Sequence, residues 1–247
     1  MYVYDLSEVR RRVEALASMQ HVSRALYAVK ANPHPLVLRC VAEAGLDFEC
    51  VSPGEISRVL QVVGPEAPNR IVFTPNFAPR SEYAAAFEAG VHVTIDALHP
   101  LREWSDLLRE REVSLRVDPG WGRGHHESVI TGGAASKFGI HVDELEEARS
   151  LADAAGARVV GLHMHSGSDI KDPGHWSDVA RVLQDVRPIF PEARSLNVGG
   201  GLGVPTRDGD EAIDLSRIDA DLAPIAAANP DAELWLEPGR WVVAEAG

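Results

Sequence analysis

An alternation running the length of the chain constrains its fold more than any other feature. Short β-branched or apolar runs recur, each followed by a longer stretch with apolar residues at helical spacing. Eight runs read as strands: Ala25–Val29, Asp47–Cys50, Arg70–Phe73, Val91–Ile95, Val113–Val117, Val159–His163, Ser195–Val198 and Glu233–Glu237. Seven segments read as helices: Leu36–Ala44, Glu55–Val63, Glu82–Ala89, Leu101–Leu108, Val142–Ala155, Trp176–Phe190 and Ser216–Ala228. Strands alternating with helices pair in parallel through right-handed crossovers. Eight such units predict an α/β fold, a (β/α)8 TIM barrel, and the 247 residues match the size of one barrel. An open doubly wound sheet is the alternative. Little chain follows the eighth run, so Leu6–Met19 is expected to supply the missing helix, with Asp5 or Ser7 as N-cap and Glu8 just inside. Gly45, Gly64, Gly90 and Gly156 follow helical runs, where left-handed caps are favoured.

Composition narrows the class. Hydrophobic residues at 45% and charged residues at 25% describe an ordinary globular chain, not a disordered one. No apolar stretch approaches the ~18 residues of a membrane span. The opening MYVYDLSEVRRR has no apolar core of a signal peptide, and Cys40 and Cys50 form no disulfide framework. A cytoplasmic protein without a membrane partner is the expectation. The net charge of −13 repels phosphate backbones and argues against a nucleic-acid partner. A small-molecule site, where a few local cations dominate, remains open.

A barrel keeps its active site at the C-terminal ends of its strands, and polar residues gather at those positions. The first strand runs into Lys30, the second ends in Glu49, and the sixth runs into His163, His165 and Ser168. The seventh runs into Gly199, Gly200, Gly201, Leu202 and Gly203, and the eighth into Glu237, Pro238, Gly239 and Arg240. Lys30 is either an amine for Schiff-base chemistry or half of a structural ion pair. The glycine loop could cradle a phosphate, since barrels often bind one after strands seven and eight, or be a tight turn. His163 and His165 point to the same side of a strand; a metal pair is conceivable with His125, His126 or Glu237, but no second tight cluster is evident and no metal is expected. Glu237 and Arg240 form a rim salt bridge or a grip on a cofactor, and Arg116 could serve a site or pair with Asp118. The connection from Asp118 to Ile140 is long, glycine-rich and carries His125 and His126. A lysine amine, a phosphate cradle, a carboxylate for a ring nitrogen and a flat histidine together match pyridoxal 5'-phosphate, an electron sink for a carbanion.

The motifs YVYD, YAVKAN, FECVSPGE, LRVDPG, ITGG with SKFG, HMHSGSD, NVGGGLG and EPGR occur in this order and cover essentially the whole chain. With them the chain resembles the barrel domain of the fold-type III pyridoxal-phosphate decarboxylases, of alanine racemase-like type, and is most similar to the diaminopimelate decarboxylase family. The GRGHHESV run is similar to that of the type fused to an aspartate kinase. The resemblance implies decarboxylation of meso-2,6-diaminopimelate to L-lysine, an amino-acid substrate, and a homodimer for the full-length protein. It implies that Lys30 holds the cofactor covalently, His165 stacks on its ring, and Ser168 with Gly199–Gly201 binds its phosphate. Glu237 would contact the ring nitrogen, in the EPGR turn with Pro238 and Gly239. Arg240 would lie by the phosphate and substrate carboxylate, and Arg116 near cofactor and substrate. No role is assigned to His125, His126 or Lys137. Three positions depart from the family pattern: Glu49 for aspartate, Ser166 for an apolar residue and Asp169 for glutamine. Residues 1–247 are expected to form the cofactor-binding barrel, with residues 1–5 and 241–247 as stubs of an absent C-terminal β domain. A chain of this extent is expected to be weakly active or inactive. Ornithine, arginine or carboxynorspermidine as substrate, a non-catalytic pyridoxal-phosphate barrel and a metal-dependent hydrolase are the alternatives.

Overall fold

The computed structural model describes residues 3–120, 138–207 and 209–247. Its strands are β1 (Arg24–Ala28), β2 (Asp47–Cys50), β3 (Ile71–Phe73), β4 (His92–Ile95), β5 (Glu112–Asp118), β6 (Ile140–His141), β7 (Arg158–His163), β8 (Ser195–Asn197) and β9 (Glu233–Leu236). All pair in parallel, and eight close a ring in the order β1-β2-β3-β4-β5-β7-β8-β9 and back to β1. The expected barrel is therefore present, and the open sheet is excluded by the pairing of β4 with β5 and of β9 with β1. The two-residue β6 lies at the end of the stretch read as one long connection and, among the described residues, pairs with the end of β5.

The helices are α1 (Leu6–Ala17), α2 (Pro35–Glu43), α3 (Pro53–Val63), α4 (Arg80–Glu88), α5 (Leu98–Glu103), α6 (Ser105–Leu108), α7 (Leu145–Ala155), α8 (His175–Val186), α9 (Leu215–Ala228) and α10 (Arg240–Val243). Asp5 caps α1, its carboxylate accepting from the Ser7 N–H at 2.9 Å, which satisfies one of the helix's unpaired donors. Gly156 ends α7 in the left-handed conformation. The single helix expected over Leu101–Leu108 is instead two, broken at Trp104, whose ring packs edge-on against Tyr83. Residues 241–246 are helical and pack on α1, where the buried Arg12 bonds Glu8 at 3.0 Å, pairs with Glu245, and lies 4.5 Å above the Trp241 ring. Thus α1 and α10 together cover the flank that an eighth crossover helix would otherwise fill.

Side-chain alternation separates two cores. Tyr27, Phe48, Phe73, Leu196 and Leu236 face the helices in the large apolar cluster, while Leu26, Val72 and Trp235 form a small cluster inside the ring. Below it the interior is ionic: Arg24 and Arg70 bond Asp47 at 2.6 and 2.9 Å, and Arg158 bonds Glu112 at 2.7 Å, with Arg194 on the same carboxylate. Above it lie the residues of the site. No helix among the described residues is long and apolar enough to cross a membrane.

Between the apolar and ionic layers, His92 places Nε2 2.7 Å from Ser114 Oγ and its ring edge-on to Trp235. Burial, then the charge of Arg24, holds its pKa down from 6.5 to about 4. As pH falls through that window the unfolded chain takes up a proton that the folded chain does not. Folding stability is therefore lost on acidification, at up to about 1.4 kcal/mol per pH unit for one group. His92→Asn is expected to flatten the dependence of melting temperature on pH between 6.5 and 4. Parallel curves for the two proteins would contradict this.

Candidate active site

The C-terminal ends of the strands surround a cavity of about 390 Å³. Polar residues from β1 round to β9 meet on its wall, although they span more than 200 positions of sequence. Lys30 does not sit on a strand. The chain leaves β1 at Ala28 and makes a single 3-10 turn, Val29–Ala31, which lifts Lys30 onto the rim with half its side chain exposed. Its ammonium pairs with Glu49 of β2, the strand neighbour of Ala28. Burial by itself would lower the Lys30 pKa, but Glu49 and Glu237 outweigh it and the net direction is up. Glu49 is almost fully buried, and that burial pushes its carboxyl up to about 7 against the pull of Lys30.

Glu237 follows β9 directly and is also buried. Its environment is the reverse of Glu49's. Burial would raise its pKa, but His163 and then Lys30 bring it down to about 2. His163 Nε2 lies 3.2 Å from Oε2 and Asn197 Nδ2 donates to Oε1 at 2.8 Å. His165 lines the cavity, and its Nδ1 accepts the Gly200 N–H at 3.2 Å, which marks the ring as neutral. Burial, then Arg116 and Lys30, holds its pKa down to about 3. Arg116 does not pair with Asp118; it is buried, donates to Asn76 Oδ1, and its guanidinium lies 5.0 Å from the Phe138 ring centre.

The glycine loop is built for close packing. Gly199 has φ +70°, and a Cβ there would stand 2.5 Å from the Met164 carbonyl oxygen; a Cβ on Gly200 would collide with the Glu237 carbonyl. Their N–H groups are used internally, by Asn197 Oδ1 and His165 Nδ1. Of the three glycines Gly199–Gly201, Gly201 lines the cavity, beside Ser168, Gly239 and Arg240. Pro238 lies behind, its carbonyl accepting the Ala28 N–H at 3.0 Å. Trp176 Nε1 donates to the Gly200 carbonyl at 3.1 Å, and Ser166 Oγ meets His175 Nε2 at 2.8 Å, so α8 props this loop from behind. His125, His126 and Lys137 lie outside the described residues. Among the described residues no group of three or more His, Cys, Asp or Glu is arranged to hold a metal ion.

Residues 6–244 match the model of a known family, described as the pyridoxal-dependent decarboxylase, pyridoxal binding domain. The chain belongs to this family. It is 34% identical over its whole length to a diaminopimelate decarboxylase of Streptomyces coelicolor, and covers 57% of that protein. It is 35% identical over its whole length to a diaminopimelate decarboxylase of Deinococcus radiodurans, of which it covers 62%. The crystal structure of Helicobacter pylori diaminopimelate decarboxylase complexed with L-lysine superposes with a TM-score of 0.87 at 25% identity, over 98% of this chain and 64% of that one. The chain thus spans about three-fifths of the length of these curated relatives.

For a pyridoxal-binding domain the cavity volume is in the range of small-molecule sites, about 300–1,000 Å³. The sequence pointed to most of the polar wall but not to Thr74 or Asn76, nor to Asn197 and Trp176 behind it. Asn197 had a signal: an Asn two residues before a glycine after a strand can accept that glycine's N–H. The loop packing carries a test. Gly200→Ala must displace the Glu237 backbone and is expected to lower unfolding free energy by about 1–3 kcal/mol, read by urea denaturation. An unchanged midpoint would mean the loop has room that these contacts deny.

Proposed function

We propose that this chain is the cofactor-binding barrel of a decarboxylase that converts meso-2,6-diaminopimelate to L-lysine with pyridoxal 5'-phosphate. The observation carrying this reading is one cavity that holds the Lys30 amine, an ionised Glu237 and the loop with Gly201, Ser168 and Arg240. The residues fit the group. A covalent anchor, a carboxylate for the ring nitrogen and close-approaching backbone for a phosphate lie on one wall, with a neutral imidazole beside them. The family and the names of the relatives aligned over the full chain support the cofactor and the substrate.

When bound, pyridoxal phosphate supplies a sink for the electron pair left on the substrate carbon as carbon dioxide departs. The chain's own residues do the rest. Lys30 Nζ must lose a proton to act as a nucleophile, and Glu49, whose pKa stands near 7, is placed to accept it. Glu237 stays ionised across the physiological range, so it can hold a proton on a ring nitrogen and deepen the sink. His165 stays neutral and offers a flat ring to stack. Ser168, Gly201 and the exposed Arg240 would hold the phosphate, with Gly199 and Gly200 shaping the loop behind them. Arg240 and Arg116 would meet the substrate carboxylates. In this reading the full-length protein is a cytoplasmic homodimer; the free, buried Cys40 and Cys50 suit a reducing compartment.

Adding pyridoxal phosphate to the chain is expected to give a visible absorbance band, with borohydride fixing the pyridoxyl mass on Lys30. Lys30→Ala is expected to lose both. The native band is expected to shift with meso-diaminopimelate and not with ornithine or arginine. A band that survives Lys30→Ala overturns the anchor, and a shift with ornithine or arginine alone overturns the substrate.

A further inference from the structure

Each oxygen of Glu237 has its own donor. His163 ends β7, Asn197 ends β8, and Glu237 follows β9. His163 pairs in register with Asn197, and Asn197 with Trp235, two residues before Glu237, so the three side chains lie on adjacent strand ends at the same mouth of the barrel. All three are buried.

The orientation of Asn197 follows from its other contact. Its Oδ1 accepts the Gly199 N–H at 3.0 Å, so the end facing Glu237 must be the Nδ2 donor. The Glu237 N–H returns to the Gly199 carbonyl at 2.8 Å. Gly199, Asn197 and Glu237 therefore close a ring of hydrogen bonds between the glycine loop and the carboxylate. His163 faces a carboxylate that only accepts, so it carries a hydrogen on Nε2. Its buried Nδ1 has no partner among the described residues. A buried histidine with one nitrogen unmatched is costly, and the ring is held there by what Nε2 does.

We infer that Asn197 and His163 are positioning residues that clamp the Glu237 carboxylate in one plane as an ion, and that Asn197 also sets it in register with the glycine loop. The inference rests on the reading of Glu237 as partner of the ring nitrogen. Two donors oppose both rotation of the carboxylate and its protonation, since a protonated oxygen would point a hydrogen at Nδ2 or Nε2. Lys30 from the turn after β1 and Arg116 from β5 also face Glu237 and favour its charge, the neutral His165 beyond β7 lies beside them, and Glu49 from β2 opposes the charge. The clamp is distinct from these because it acts on geometry as well as charge.

The test titrates Glu237 in the cofactor-free chain by NMR with 13C-labelled glutamate carboxyls, its signal identified by loss in Glu237→Gln. In Asn197→Leu and His163→Phe the midpoint is expected to rise by at least one pH unit, tenfold in acid dissociation. His163→Gln, which restores a donor, is expected to bring it back to within half a unit. Asn197→Asp keeps the acceptor for Gly199 and serves if the leucine variant does not fold; its midpoint should also rise. Unchanged midpoints in the folded variants, or no rescue by glutamine, would overturn the clamp. The chain is then loaded with pyridoxal phosphate labelled with 15N in the ring. A protonated ring nitrogen in the native chain that loses its proton in the phenylalanine variant and regains it in the glutamine variant supports the link to the cofactor. If the clamp titrates as expected but the native ring nitrogen is unprotonated, the reading of Glu237 fails and the clamp stands.

Discussion

Closing eight parallel strands into a ring leaves no free edge and no choice of face. Every second residue points into an interior too narrow for solvent, and every strand ends on the same rim. The chain meets this constraint with a layered interior. Charges pair at the N-terminal mouth around Asp47 and Glu112, Leu26, Val72 and Trp235 fill the middle, and polar groups crown the C-terminal end. The middle layer is tight enough that a Cβ on Gly161 would collide with the hydroxyls of Ser114 and Ser195. The small apolar plug separates two charged layers, so the upper one is a closed-bottomed bowl, not a pore.

Within that bowl two buried carboxylates, Glu49 and Glu237, share a wall, and the protein treats them differently. Glu49 faces Lys30 and rises to about 7; Glu237 faces His163 and Asn197 and falls to about 2. Two like groups pushed in opposite directions by their surroundings are the usual mark of an acid–base pair with divided roles. One is set to exchange a proton near neutrality, the other to remain an ion. The net charge of −13 plays no part in this; the balance is struck among side chains a few ångströms apart.

The barrel was legible because its signal is repetitive: eight runs fell on eight ring strands, most within a residue or two of their observed ends. Misplaced elements are those governed by single tertiary contacts. Packing of Trp104 on Tyr83 splits one expected helix, and β6 is two residues long, below what periodicity can register. The site was legible where a chemically distinctive residue ended a strand, as with Glu49, His163 and Glu237. Lys30 reaches the cavity by a 3-10 turn after β1, which the strand pattern does not show. Thr74 and Asn76 escaped because nothing in their identity separates a residue that aims at a cavity from one that merely ends a strand; Asn197 carried only the signal of a turn that accepts the Gly199 N–H. Their roles exist only in the register between neighbours.

The glycine loop shows how the two kinds of information combine. A run of glycines after a strand reads naturally as a set of free N–H donors for an anion. Two of those donors are instead committed to Asn197 and His165, and the missing side chains matter more than the exposed amides. Without a Cβ at Gly199 and Gly200, the loop settles against the Met164 and Glu237 carbonyls. There Trp176 fixes it from one side and Asn197 from the other. A loop so held is tied to the Glu237 backbone by direct contact and by the Glu237 N–H to Gly199 carbonyl bond of 2.8 Å. In the proposed reading, that pre-set spacing between loop and carboxylate suits a rigid ligand with a phosphate at one end and a basic nitrogen at the other. The glycines supply that rigidity by allowing contact, not by supplying freedom.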